Sequence, residues 1–139
     1  MPATIVHALF ANDVYDILPN NYRNKLSISR CKMFAQSTDS CFFYNLFSFM
    51  PGKKIRSFQK YFHENQTQEF FINLLKFIKD NDIDDTDTLS FLFGFITHYV
   101  LDSIVHPYII YKTGYFDKNK PETYKYNSIH HFMEIFLDN

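Results

Sequence analysis

The sequence predicts an all-α fold, a single multi-helical domain arranged around one central, buried, ligand-bearing helix. Three observations carry this reading. Glycine and proline are scarce, 3 and 5 among 139 residues, so little interrupts long helices. Every long apolar segment repeats its bulky residues at helical spacing. Aromatic residues reach 19%, with 17 Phe, 10 Tyr and no Trp, a balance that suits helices packed through large rings. A chain of 139 residues that is 46% hydrophobic can bury a real core without disulfide support, so one domain is expected over residues 1–139.

In chain order, the opening MPATIVHALFANDVYDIL carries Ile5, Val6, Leu9, Phe10, Val14, Ile17 and Leu18 at helical spacing, with His7 among them. Pro2 suits a helix start because its missing N–H is unpaired there anyway, and Pro19 closes the segment. Asn20 and Asn21 read as a polar link, and residues 22–36 as a second helix, through Leu26, Ile28, Met33 and Phe34. Ser37, Thr38 and Asp39 break it. Asp39 stands at a helix N-cap or in the loop before the aromatic run CFFYNLFSFM, which ends at Pro51 and Gly52. Lys53, Lys54, Arg56 and Lys60 form a solvated basic patch leading to Tyr61, Phe62 and His63. Residues 66–81 read as an amphipathic helix of about four turns. An acidic turn over 80–87 follows, from which Asp87 or Thr88 can cap the next helix.

That next helix, residues 91–107, is the centre of the chain. Its sequence FLFGFITHYVLDSIVHP has no polar face, which predicts burial on all sides, yet it carries His98, Asp102 and His106 at steps of four. Residues four apart share a helix face, so two imidazoles flank one carboxylate. Beyond Pro107 the residues YIIYKTGYF continue as helix or break at Gly114, and KNKPE is a polar loop. The last helix is expected over 128–137, where His130 and Glu134 repeat the four-residue step.

A carboxylate in an apolar setting must be paired, hydrogen-bonded or bound to a metal. A single core histidine is ordinarily explained by a carbonyl partner. Two helices that each place a His and a carboxylate four apart are better explained as chelating pairs. Imidazole and carboxylate without thiolate suit zinc, with manganese or iron open, and disfavour calcium or magnesium. The supply of histidines and carboxylates exceeds what one ion needs, so two or three ions are expected. Cys31 and Cys41 read as small core residues rather than a disulfide framework, and the N-terminus shows no signal peptide, so a reduced, cytoplasmic protein is expected. A net charge of −1 argues against a stable nucleic-acid complex held by bulk electrostatics. No apolar run in this reading reaches the length of a membrane span.

The stretches HYVLDSIVHPYI and HHFMEIFLD, with looser support from HALFANDV, AQSTD and His63, make the chain resemble the zinc-dependent phospholipase C family, whose relatives include the single-strand-specific zinc nucleases. The resemblance spans nearly the whole chain. It implies one zinc held by Asp39, His63, His98 and Asp102, and a second held by His106, His130 and Glu134. A third would share Asp102 with His7 and with the terminal amine and carbonyl. In secreted relatives that amine belongs to a processed Trp, whereas this chain begins Met1-Pro2. Family members usually continue well past the Glu ligand, so a C-terminally truncated or minimal version is expected. His130 rather than His131 is the expected ligand because its step to Glu134 is four residues.

The function implied is zinc-dependent hydrolysis of a phospholipid or other phosphodiester by activated water, with Asp39 orienting or deprotonating that water. The alternatives are the same cluster acting on single-stranded nucleic acid, or a non-catalytic helical metal-binding domain. Phe42, Phe43, Tyr44 and Phe47 serve either substrate or simply pack.

Overall fold

The structure, a computed structural model, describes residues 4–36 and 67–138. Six α-helices occur among the described residues, and no strand does: α1 Thr4–Ile17, α2 Asn20–Arg23, α3 Ile28–Phe34, α4 Thr67–Asp80, α5 Thr86–Thr113 and α6 Tyr124–Leu137. A 3₁₀ turn over Pro121–Thr123 leads into α6. The expectations placed on Asp39, Cys41, the aromatic run, the basic patch and His63 lie outside the described residues.

Helix α5 is central: α1, α3 and α6 all pack on it. Its Gly94 sets how close α3 comes. A Cβ at Gly94 would lie 2.6 Å from the Cys31 carbonyl oxygen and 2.7 Å from the Phe34 backbone, so only glycine admits this approach. One turn earlier, Ser90 is buried and its Oγ accepts the Ser27 N–H at 2.9 Å. Helix α4 docks through rings, Phe70 and Phe71 lying 5.3 and 5.1 Å from Phe95, with Phe71 also 5.8 Å from Tyr99. Edge-to-face and tilted ring pairs at these separations are favourable geometry.

Four expectations need correction. Residues 22–36 are not one helix. Pro19 starts the short α2, which takes in Asn20 and Asn21, and the chain then straightens so that Ser27 can bond Ser90 before α3 begins. The cap of α5 is Asp85, whose carboxylate accepts the Thr88 N–H at 2.9 Å. Asp87 already lies in the first turn, where it pairs with Arg30 of α3. Burial of α5 is one-sided: Ser90, Gly94, Phe95, Thr97, His98 and Ile109 are buried, while Ile96, Val100, Ile104, Tyr108 and Tyr111 are exposed.

Lastly, α5 does reach the length of a membrane span, because it takes the helical course past Pro107 that the sequence left open. It continues to Thr113, and Gly114 with φ of 97° ends it. With 28 residues and a mean hydropathy of 1.4 over its best window, α5 is long and apolar enough to cross a membrane by length and composition, which the shorter 91–107 segment was not. The central helix of a packed bundle meets the same two criteria, and α5 turns one side onto α1, α3 and α6.

Candidate metal centre

Helix α5 supplies His98, Asp102 and His106 from successive turns of its covered side, and α1 supplies His7 from its second turn. His7 and His98 are each 2% exposed, and their rings stack with centroids 4.4 Å apart. Asp102 is the pivot. Its Oδ1 lies 3.3 Å from His7 Nε2 and 3.4 Å from His106 Nε2, while Oδ2 lies 3.4 Å from His98 Nε2. One carboxylate therefore faces three imidazoles from two helices.

The orientation of His98 is fixed from α3. Its Nδ1 lies 2.9 Å from the Ala35 carbonyl oxygen, and because a carbonyl only accepts, Nδ1 carries the hydrogen. In the neutral ring Nε2 then presents a lone pair to Asp102. Two electron-rich atoms facing each other at 3.4 Å are what a shared cation between them would satisfy. His7 Nδ1 is buried and without a hydrogen-bond partner among the described residues, a polar demand that a ligand would meet.

The second set lies where α6 meets α5. His130 Nε2 is 3.1 Å from Glu134 Oε1, and the His130 ring is 5.6 Å from that of His106. Glu134 is 2% exposed. Its other oxygen, Oε2, lies 3.2 Å from Nδ1 of His131, whose side chain is 52% exposed. His131 thus supports the carboxylate from the solvent side while His130 meets it inside.

The structure brings six expected donors into two groups. His7, His98 and Asp102 form one, and His106, His130 and Glu134 the other, with the donor atoms of each group within 4.8 Å of one another. Both fit an imidazole–carboxylate zinc site in donor chemistry. Four of these donors, His7, Asp102, His106 and Glu134, line one pocket of about 280 Å³ including its mouth, together with Val6, Leu101, Val105, Ile109 and Leu137. Asp39 and His63, the other two expected ligands, lie outside the described residues.

Electrostatics separate the two imidazoles of the second group. The hydrogen bond to Asp102 outweighs burial and holds His106 above its ordinary pKa, with the Asp102 and Glu134 charges adding to it. Burial is the largest influence on His130 and holds it below the ordinary value despite Glu134. Sequence reasoning missed Gly94 and the Ala35 carbonyl as the parts that orient His98. A glycine inside an apolar helix was the one available signal, and it does not name its neighbour.

A family model described as zinc dependent phospholipase C matches residues 6–139 of the chain. No curated protein and no solved structure matches it.

Proposed function

The chain belongs to the zinc dependent phospholipase C family, and we propose on that footing that it is a zinc-dependent hydrolase of phospholipid phosphodiesters. The observation that carries the reading is Asp102, one carboxylate in the pocket wall facing the Nε2 atoms of His7, His98 and His106 at 3.3 to 3.4 Å.

In this reading His7, His98 and Asp102 hold zinc on one side of the pocket, with Asp39 and His63 completing the set, and His106, His130 and Glu134 hold it on the other. Zinc held there supplies Lewis acidity toward phosphoryl oxygens and makes a bound water acidic near neutral pH. The chain's own groups do the rest. The Asp102 and Glu134 carboxylates offset the positive charge of the ions in a site where water cannot. The Ala35 carbonyl keeps the proton of His98 on Nδ1, so that Nε2 presents its lone pair toward Asp102. Val6, Leu101, Val105, Ile109 and Leu137 give the pocket an apolar wall that thins out competing water. Asp39 accepts the proton of the attacking water at its carboxylate as the new P–O bond forms. The bond from phosphorus to the glycerol oxygen then breaks, that oxygen takes up a proton from solvent while Asp39 gives its own back to solvent, and diacylglycerol and the phosphorylated head group result.

The test is phosphocholine release from phosphatidylcholine micelles by protein stripped with chelator and reconstituted with zinc. Release that appears only with zinc is expected. Full zinc binding without release, together with cleavage of single-stranded DNA, would move the chain to nuclease chemistry. Activity on neither substrate would leave a metal-binding scaffold.

A further inference from the structure

Asp138 lies just past the C-terminal end of α6, yet its Oδ1 accepts hydrogen bonds from the backbone N–H groups of Ile5 at 2.9 Å and Val6 at 3.1 Å. These belong to the first turn of α1, whose amides have no partners within the helix. The first turn of α1 carries no acidic residue of its own. The cap comes instead from 132 and 133 residues away in the sequence. A carboxylate at a helix N-terminus gains from both the free amides and the helix dipole.

The contact joins the two elements that complete the metal groups. His98, Asp102 and His106 are fixed relative to one another because they ride on one helix. His7, the residue after Val6, must be delivered by α1, and His130 and Glu134 by α6. We propose that Asp138 is a positioning residue that latches α1 to α6 and so couples the filling of the two metal groups. An ion in the first group orders α1. Through the latch that order reaches α6 and the donors of the second group, and the coupling is equal in the reverse direction. The inference rests on the zinc reading above, but not on the identity of the substrate.

Zinc titration in competition with a chromophoric chelator tests it on the wild type, Asp138→Ala and Asp138→Asn. In the wild type two zinc-binding steps are expected. Asp138→Ala should weaken both by about tenfold, the scale of lost support behind metal ligands and of typical coupling. Asp138→Asn keeps an amide oxygen that caps nearly as well, so its affinities should stay within about threefold of wild type. A merely structural cap would lower the melting temperature of the metal-free protein and leave zinc affinity unmoved, and that result overturns the latch. Weakening of only one step overturns the coupling. If the alanine variant does not fold, amide exchange at Ile5 and Val6 in wild type and Asp138→Asn decides: zinc should slow exchange at both amides, and no change refutes the proposal. A wild type that binds no zinc overturns the zinc reading and the latch together, whereas zinc binding without phosphodiester hydrolysis overturns only the proposed activity.

Discussion

Replacing Asp102 by Asn tests the pivot of the site while leaving its volume almost unchanged. The substitution removes one negative charge and turns one of two acceptor oxygens into a donor group. In the wild type those oxygens face His7, His98 and His106 at 3.3 to 3.4 Å, and the side chain is only 12% exposed, so solvent screens the interactions little. Breaking a buried charged set by removing one partner costs about 3–5 kcal/mol. At about 1.4 kcal/mol per tenfold, that corresponds to a loss of roughly two to three and a half orders of magnitude in zinc affinity at the His7–His98–Asp102 group. The group formed by His106, His130 and Glu134 keeps all its own donors and should retain its ion, weakened by no more than the roughly tenfold coupling between the groups. The assay pairs chelator competition with thermal melts in zinc and in EDTA. A variant with wild-type zinc affinity and an unchanged zinc-induced rise in melting temperature would refute the role given to Asp102.

Gly94→Ala should destabilise the fold by about 1–3 kcal/mol, the scale of overpacking, although alanine is the better helix former by about 1 kcal/mol. The added Cβ has no room against the Cys31 and Phe34 backbones, so a melting temperature at or above wild type would contradict the packing described. Asp39→Asn should leave melting and the zinc of the second group intact while lowering phosphodiester turnover by about a hundredfold, the usual scale for a general base. Turnover close to wild type would remove Asp39 from the chemistry. For pH, the folded metal-free protein holds the His106 pKa above its unfolded value of about 6.5, chiefly through Asp102. The stabilisation from that pair is complete below about pH 6.5 and is lost as pH rises through the folded value. His130 has the opposite shift, so its effect falls below pH 6.5 and leaves the upper window to His106. Zinc must displace the His106 proton, so affinity at the second group should rise across that same window. Melts in EDTA and zinc titrations at several pH values check both signs; parallel trends would contradict them.

The helical class and the two chelating pairs were legible in the sequence because both depend on spacing within one helix. His98 with Asp102 and His130 with Glu134 are four-residue steps, and a step of four means one face wherever the helix lies. Helix bounds were less legible where tertiary contacts decide them. The chain leaves the helix in a turn at Asn24 and Lys25 and straightens at Leu26 and Ser27, where Ser27 bonds Ser90 on a helix more than sixty residues later, and no local signal records that partner. The cap at Asp85 was misplaced by two or three residues because the whole acidic turn offers capping side chains, and only the first helical residue selects among them. The parts that aim the ligands were least legible. The Ala35 carbonyl that fixes His98 is a backbone atom with no sequence signature, and Asp138 caps a helix at the other end of the chain. Burial of α5 was overstated because an apolar sequence shows what a helix can bury, not how many neighbours it has.

The central claim is that two donor groups, each completed by a different helix against α5 and both reaching one pocket, hold zinc. Elemental analysis of protein saturated with zinc and then dialysed against metal-free buffer tests it most directly. The account predicts two or three tightly held zinc equivalents per chain. One equivalent or none, in protein whose helical spectrum is intact, would contradict it.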